Sequence, residues 1–503
     1  MNRTGRPPAR PFRHHVSRSV SRRSVRRGGP ALATAAGTVD LTRRLAWLPQ
    51  RATASGPAVE PSDIQFDVDR LIPPPMVIDG VPVRFGPIHT IFATAILAGT
   101  PTLRDQQVFA DALATIERAY PYLPGGVMTH VAYGLPYFRR LPAGLLALHL
   151  PRLLTDTRRY ALEEAVPSPT DVHPTNPAVR KLRFHVGVRI EDNDLLFTLR
   201  GDNPLYLTDV LDWLAGSDRL ADRTCRSPRL DAPLTFTSTR AMFVQMSLPR
   251  KVAIDNQAPY ASMMHPRSPM WMGFADQQTE SSAPAPAITF RGAPGTRLTT
   301  AQSGDYFDNG AVQHLAHDIL DLQQFYDVDD RGNPGDDAAF VERVQYVFRS
   351  TPPPSTGYPD QIRDGGGPAF LPTAFQGVDD AARGASGTGT RHGERRIGHV
   401  AALQRSSRTA DGRPLHHRLD GPGFDAMDVP DGSRQPKLQF SIFLPTAELF
   451  TTMRRHQASL DLRERYDVDP HHNGLERFLT ATRRQNFLIP PRRHRAFPLR
   501  ELA

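Results

Sequence analysis

The apolar positions in the first half of this chain of 503 residues predict alternating strands and helices. Between residues 102 and 123, Val108, Leu113 and Ile116 are separated by acids and arginines, which is the spacing of an amphipathic helix. Short runs that alternate or stay apolar are typical of strands. In chain order we predict a strand at 85–99, a helix at 102–123, a strand at 125–134, a hairpin at 186–203 around Asp192–Asp194, and a helix at 204–216 that ends at Gly216.

The second half repeats this order with weaker signals. Val312, Leu315 and Ile319 are spaced as on one face of a helix. In chain order we predict strands at 241–247 and 285–292, a helix at 309–327, a strand followed by a helix within 437–457, and a last helix at 474–485. Both halves together indicate an α+β fold in which helices cover antiparallel sheets.

Two segments lack this periodicity. Residues 1–60 consist largely of Arg, Pro and Ser with few large apolar side chains, a composition that predicts a disordered tail. Residues 351–395 are rich in Pro and Gly and predict a long surface insertion. We therefore expect a tail at 1–60, an N-terminal lobe at 61–250, and a C-terminal lobe at 251–503 that carries the insertion.

The net charge of +9 comes from the tail. Residues 1–51 hold 12 arginines, no lysine and one acid, which makes +11 and leaves −2 on the other 452 residues. A nucleic-acid groove in the folded body would need its own basic stripe, so this distribution argues against nucleic acid as a partner there. Twin arginines at 22–23 and 26–27 are compatible with a twin-arginine export signal. The apolar stretch that follows is short and poor, which favours a disordered tail and a cytoplasmic location.

Several common kinds of site have no support in the sequence. Cys225 is the single cysteine, which excludes disulfides within the chain and cysteine-based metal clusters. No stretch approaches the roughly 18 apolar residues of a membrane span. There is no glycine-rich phosphate loop followed by lysine and no Gly-x-Ser-x-Gly motif. His314 and His317 are spaced as two metal ligands on a helix, but lack a third ligand nearby. We interpret them as partly exposed helical histidines.

One carboxylate stands out beside an apolar run. In SPMWMGFADQQTES (268–281), Asp276 directly follows a segment with two Met, a Trp and Phe274. Such a charge lies either at the edge of a core or inside a pocket. Further along, His399 lies in an apolar stretch, Arg418 follows 19 positions later, and the strand and helix at 437–457 come next.

These segments, in this order, resemble the dye-decolourising (DyP-type) haem peroxidases. That family has a Gly-x-x-Asp-Gly motif, a later histidine that ligates haem iron, an arginine, and a strand–helix marked by phenylalanines. GFADQ (273–277) corresponds to the first motif, GHVAALQRSSRTADGRPLHHR (398–418) to the second, and LQFSIFLPTAELFTTM (438–453) to the third. The resemblance covers residues 85–500 apart from the insertion. It implies two ferredoxin-like lobes of the dimeric α/β-barrel type.

The resemblance also implies a chemistry and its residues. His399 would ligate the iron of haem b, and Phe274 would line the haem cavity. Asp276 would be the base that moves a proton within bound hydrogen peroxide, and Arg418 the cation that stabilises the leaving oxygen. The expected activity is oxidation of a small organic reductant by hydrogen peroxide, in a protein that can form a homo-oligomer.

Alternatives stay open at this point. Asp276 could cap a turn, His399 could be a satisfied histidine at a strand edge, and Arg418 could form a surface ion pair. Gln277 replaces the final Gly of the family motif, and His416–His417 precede Arg418 where the family has paired arginines. A non-catalytic haem-binding protein therefore fits as well. A structural protein whose basic tail binds an acidic partner is a third possibility.

Overall fold

The computed structural model describes most of residues 60–326 and 416–503, together with 395–397 and 406 between them. The predicted tail and insertion therefore lie outside the described residues, or almost entirely so. The short gaps within the two blocks are 73, 75, 79–80, 84–85, 169–170, 172–180, 182, 245–247, 259–260, 262–263, 265–267, 274–282, 296, 459, 461–467 and 474.

The described elements are mixed strands and helices. The strands are β1 (Met76–Ile78), β2 (Val81–Val83), β3 (His89–Leu97), β4 (Met128–Gly134), β5 (Arg189–Ile190), β6 (Leu195–Gly201), β7 (Arg219–Leu220), β8 (Arg223–Thr224), β9 (Leu234–Phe243), β10 (Ala311–Leu320), β11 (Arg395–Ile397), β12 (His417–Asp425), β13 (Gln435–Leu444), β14 (Val468–Asn473) and β15 (Leu479–Ile489). The α-helices are α1 (Leu103–Ala119), α2 (Leu135–Arg139), α3 (Ala143–His149), α4 (Pro204–Leu214), α5 (Leu248–Asp255), α6 (Ala285–Ile288), α7 (Leu322–Tyr326) and α8 (Glu448–Gln457).

One large sheet joins both halves of the chain. Its strand order is β12-β13-β10-β15-β4-β6-β3-β9, with every neighbouring pair antiparallel, and the short β5 pairs in parallel with β15. When the four main strands of each half are numbered along the chain, they lie in the sheet in the order second, third, first and fourth. Helices lie in the connections after the first and third strands, which is the ferredoxin-like arrangement. The predicted α+β class with two ferredoxin-like units is confirmed. The two units form one sheet instead of two separate ones.

This sheet curves until its edge strands meet. No backbone ladder joins β9 to β12 within the described residues, yet the two strands lie side by side. A Cβ built on Gly423 would lie 2.7 Å from the carbonyl oxygen of Ala241, so a side chain there would force the strands apart. Trp271 Nε1 donates to the Gly423 carbonyl oxygen at 3.0 Å. The eight main strands thereby enclose an interior, as in a small barrel.

Strand alternation sends one set of side chains into this interior and the other under the helices. The outer core includes Phe109 of α1, Leu207 of α4 and Phe450 of α8. The interior apolar cluster takes residues from the main strands, among them Phe92, Ala132, Leu196, Met242, Ala311, Leu315, Leu419, Phe443, Phe487 and Ile489. The interior is therefore packed and is not an open channel.

A segment before the first main strand, residues 60–72, covers one end of the barrel. Phe66 enters the interior cluster and stacks on Phe443, with ring centroids 4.4 Å apart. The Gln65 amide donates to the carbonyl oxygens of Val131 (3.0 Å) and Pro490 (2.8 Å) and accepts from Val131 N (2.9 Å). Since Val131 belongs to β4 and Pro490 follows β15, this side chain bridges the seam between the two halves.

The predicted helices with clear end signals are present. Thr102 caps α1 through a capping box with Asp105, in which each residue's side chain pairs with the other's backbone N–H. Asn203 caps α4 by accepting from Leu205 N at 3.0 Å, and Pro204 occupies its first turn. After this helix the chain turns at Gly216, which has φ +118°. These two helices bury their apolar faces against the N-terminal half of the sheet.

Four secondary-structure predictions were wrong. The segment predicted as a helix at 309–327 forms β10 and the short α7, and the segment at 474–485 forms a single 3₁₀ turn and the start of β15. All ten residues of β10 are buried, because the sheet is covered on both faces, so the period of two disappears from its sequence. The predicted hairpin at 186–203 does not form, since β5 pairs with β15. The predicted strand at 285–292 contains helix α6.

Candidate functional site

Of the four predicted site residues, the structure describes Arg418. Phe274, Asp276 and His399 lie outside the described residues, so their roles stay predictions. Arg418 is the second residue of β12, and its side chain is 16% exposed. Its Nη1 lies 3.8 Å from Oδ1 of Asp420, which is a loose ion pair. A largely buried guanidinium on a central sheet differs from an ordinary surface arginine.

The sheet register places Arg418 on the face that α8 covers. Arg418 pairs with Ile442 on β13, and Ile442 pairs with His314 on β10, so these side chains share the outer face. The ring of His314 stacks on Phe450 of α8 at 3.5 Å between centroids. We call this surface of the C-terminal half the outer face.

His314 and His317 are not helical neighbours. On a strand, residues three apart point to opposite faces, so His314 lies on the outer face and His317 in the interior. Both are fully buried, and the interpretation of exposed helical histidines was wrong. His317 Nδ1 lies 2.8 Å from the Thr482 hydroxyl, and its Nε2 lies 3.4 Å from Asp425. Burial lowers the pKa of His317.

The His314 ring is held as a neutral imidazole. Burial and the positive charge of Arg484 lower the pKa of His314 to about 3. Its Nδ1 lies 2.7 Å from the side-chain oxygen of Asn486, so Nδ1 carries the proton and donates to that oxygen. Nε2 is then an unprotonated nitrogen with no hydrogen-bond partner among the described residues.

Near the C-terminal end of α8, two buried ion pairs flank a small cavity of about 40 Å³ on the outer face. Arg484 donates to both oxygens of Asp171 at 2.7 and 2.6 Å. Arg454 of α8 donates to both oxygens of Glu476 at 3.0 and 2.7 Å. The cavity is lined by Asp171, Asp318, Leu438, Phe440, Arg454, Gln457, Glu476, Leu479, Ala481 and Arg484.

Asp318 is the third acid of this cavity, and it forms no ion pair with the described residues. It is 9% exposed, and none of the described residues donates a hydrogen bond to its carboxylate. Burial raises the pKa of Asp318 to about 6, although the positive charges of Arg484 and Arg454 act in the opposite direction. A carboxyl group with this pKa can accept or release a proton near neutral pH, which makes it a functional candidate. The sequence reasoning missed it because it lay within a predicted helix.

The interior holds a second charged cluster. Arg483 donates to both oxygens of Asp428 at 2.5 and 2.6 Å and to Glu191 at 3.1 Å. Fully buried Arg240 donates to the other oxygen of Glu191. The carboxylates of Asp428 and Glu191 are fully engaged and join strands of the sheet, whereas Nε and Nη1 of Arg240 have no hydrogen-bond acceptor among the described residues.

The described part of the chain contains no group of three His, Cys, Asp or Glu side chains placed to hold a metal ion. None of its helices combines the length and the apolar character needed to cross a bilayer.

Comparison with solved structures finds dye-decolourising peroxidases. A variant of DypB from Rhodococcus jostii RHA1, in complex with heme, is 12% identical with a TM-score of 0.47, covering 82% of this chain and 96% of the other. A DyP-type peroxidase protein from Shewanella oneidensis is 12% identical (TM-score 0.43, 81% and 94% covered). A dye-decolourising peroxidase from Bacteroides thetaiotaomicron VPI-5482 is 13% identical (TM-score 0.41, 81% and 94% covered).

The sequence comparisons match a family model but no curated protein. No curated protein matches the chain. A family model described as a family of unknown function, DUF7405, matches residues 87–491. Because this match spans most of the chain, the protein belongs to the DUF7405 family.

Proposed function

We propose that this protein is a haem-dependent, peroxidase-type oxidoreductase that uses hydrogen peroxide to oxidise a small organic reductant. The observation that carries the proposal is the position of Arg418 on the outer face, where its side chain is only 16% exposed. The order of the acid, histidine and arginine motifs along the sequence supports it. A cation that stabilises developing negative charge acts best where water is excluded.

Two described groups on the outer face have the chemistry that a haem site would use. Arg418 offers a guanidinium, and the orphan Nε2 of His314 is an imidazole lone pair on the same face. The described cavity of about 40 Å³ is far smaller than a porphyrin. The other walls would therefore come from the segments that carry Phe274, Asp276 and His399. We propose that His399, not His314, would hold the haem iron, because the ring of His314 is fully buried against Phe450.

In this proposal each residue has a separate task. Haem b, when bound, would supply the redox-active iron that reacts with peroxide. His399 would hold the iron through one ring nitrogen and tune its potential. Asp276 would accept a proton from hydrogen peroxide and return it to the departing oxygen. Arg418 would stabilise the charge on that oxygen and favour the ionised form of Asp276.

The test is haem uptake by the purified full-length chain. We expect a Soret band after haem is supplied, and we expect His399→Ala to lose it. His314→Gln is the matched control, since it changes another buried histidine of the same lobe and should keep the band. Absence of the band in the wild type would refute the proposal. Loss of the band in His314→Gln with retention in His399→Ala would reverse the assignment of the ligand.

A further inference from the structure

Arg200 on β6 carries a buried guanidinium without a counter-ion among the described residues. Its side chain points into the barrel interior and is 7% exposed. Within the described part of the chain it forms no ion pair, and its Nε has no hydrogen-bond acceptor. Burial lowers the pKa of Arg200 to about 10, so the group still carries its charge at neutral pH. A buried cation without a partner is strongly unfavourable, and proteins rarely retain one without a use.

Two further unsatisfied groups lie beside it on neighbouring strands. Thr90 on β3 is directly opposite Arg200, and its buried hydroxyl has no partner in the described part of the chain. His130 on β4 pairs with Thr198, two positions before Arg200, and neither of its ring nitrogens has a partner there. Opposed side chains on adjacent strands have Cβ atoms about 5 Å apart and diagonal ones about 7 Å. Three adjacent strands thus bring three hydrogen-bonding groups to one place.

The electrostatic environment at this place is positive. Burial and the charges of Arg200, Arg492 and Arg495 lower the pKa of His130 well below its usual value, so the ring is neutral and retains one N–H donor. The acids at this end of the barrel are Glu117, which is already shared, and Asp67 and Asp69 of the covering segment, whose charges act on His417. Arg492 donates to Glu117 at 2.5 Å, and Arg495 lies 2.7 Å from the same oxygen. None of these carboxylates forms an ion pair with Arg200, so the charge of this guanidinium stays uncompensated within the described part of the chain.

The backbone leaves room for the guanidinium at this end of the barrel. A Cβ built on Gly86 would lie 2.8 Å from Nη2 of Arg200, so glycine permits the observed side-chain position. Tyr122 closes the same region by donating from its hydroxyl to the Gln65 carbonyl oxygen at 3.0 Å. Arg492 stacks over the Tyr122 ring at 4.6 Å. The arginine is thereby held under the segment at 60–72.

We propose that Arg200, with Thr90 and His130, forms a binding site for a small oxyanion at the barrel end covered by residues 60–72. A planar guanidinium can donate two parallel N–H bonds to a phosphate or carboxylate, and the hydroxyl and imidazole add further donors. The anion supplies the missing negative charge. The site lies in the interior of the N-terminal half, away from the outer face, so it does not depend on the proposed haem chemistry.

Thermal unfolding of the full-length protein tests the proposal, with inorganic phosphate and acetate titrated separately in chloride buffer at constant ionic strength. We expect a saturable rise in Tm with at least one of the two anions, because a ligand that binds the folded state stabilises it. Arg200→Gln should weaken binding of that anion at least about ten-fold. Arg104→Gln changes an exposed arginine paired with Asp231 and should behave as the wild type. The more effective anion identifies the preferred geometry.

A second readout separates a ligand site from a structural role. In chloride alone, Arg200→Gln should be at least as stable as the wild type, since it removes an uncompensated charge. Thr90→Val keeps the shape of the side chain, removes one donor and should also weaken anion binding, even if the first variant fails to fold. A wild type whose Tm responds equally to all salts would overturn the proposal. An equal anion response in Arg200→Gln or in Thr90→Val would do so too.

Discussion

Arg484 and Asp171 are locked together by two hydrogen bonds, with both side chains only 3% exposed. Removing one member of such a pair leaves an uncompensated buried charge. We expect Asp171→Ala to lower the free energy of unfolding by about 3–5 kcal/mol, measured by urea denaturation. Glu164→Ala breaks an exposed pair with Arg139 and should cost about 1 kcal/mol or less. Equal losses of unfolding free energy in the two variants would mean that the buried pair stabilises the fold no more than the exposed pair does.

Asp318 predicts a dependence of stability on pH. Its pKa in the folded protein, about 6, exceeds its ordinary value of 3.8, so the fold favours the protonated carboxyl group. The stabilisation is complete below pH 4 and is lost as the pH rises through 6. Asp318→Asn mimics the neutral form at every pH. The unfolding free energy of this variant minus that of the wild type should therefore be roughly 3 kcal/mol larger above pH 6 than below pH 4. Denaturation of both proteins at pH 4, 5, 6 and 7 would reveal a constant difference if this assignment is wrong.

Arg418 predicts a selective loss of peroxide reactivity under the proposed function. Arg418→Leu should keep the Soret band, because the side chain would not ligate iron. The rate of reaction with hydrogen peroxide should fall by about 10²–10³, the usual effect of removing a group that stabilises developing charge. Stopped-flow spectroscopy of the haem-loaded protein measures this rate. Arg104→Gln serves again as the surface control, and a rate unchanged in Arg418→Leu would exclude the assigned role.

The role proposed for Asp276 predicts a similar loss of peroxide reactivity. Asp276→Ala should bind haem normally and react with peroxide about 10²–10⁴ times more slowly, because the proton-transferring base is gone. Asp276→Asn retains the shape without the basicity and should be equally slow. If either variant reacts with peroxide as the wild type does, another group transfers the proton. Asp318, with its pKa of about 6, would then be the next candidate to replace.

The hydrogen bonds of Gln65 predict that this side chain stabilises the seam between the two halves. Gln65→Ala removes three hydrogen bonds to Val131 and Pro490 and leaves buried backbone groups unsatisfied. We expect a loss of roughly 2–4 kcal/mol in unfolding free energy, from about 1 kcal/mol per bond and the cost of the stranded groups. Gln107→Ala, on the exposed side of α1, is the control. A loss at Gln65 no larger than at Gln107 would show that other contacts hold the seam.

The sequence predicts the amphipathic elements well, because each of them shows two different faces. α1 and α4 carry caps and one apolar face, so their positions follow from pattern and local signals. β3 and β4 are buried along nearly their whole length, and the turn residues that flank them mark their positions instead. β10 is buried on both faces and contains His314, His317 and Asp318, whose spacing also suits a helix. In such a segment only the partners from distant parts of the chain decide between strand and helix.

The charged sites were harder to foresee for a related reason. Arg484 lies in a segment predicted as a helix, where an arginine would normally face water, and its partner Asp171 is over 300 positions away. The interior position of Arg200 likewise depends on the register of β6 against β3 and β4. Among 58 arginines, composition gives no means of distinguishing these few. The resemblance to dye-decolourising peroxidases rests on the order of the motifs along the chain.

The strand order of the sheet has a consequence for assembly. Each half meets the other at two seams, and each seam joins the fourth strand of one half to the second strand of the other. β15 and β4 share backbone pairing, whereas β9 and β12 meet through Gly421 and Gly423. Two separate ferredoxin-like chains could build the same closed structure, whereas here one polypeptide links the two halves. Closure of the barrel is therefore an intramolecular step, and the pairing of the two halves should not depend on protein concentration.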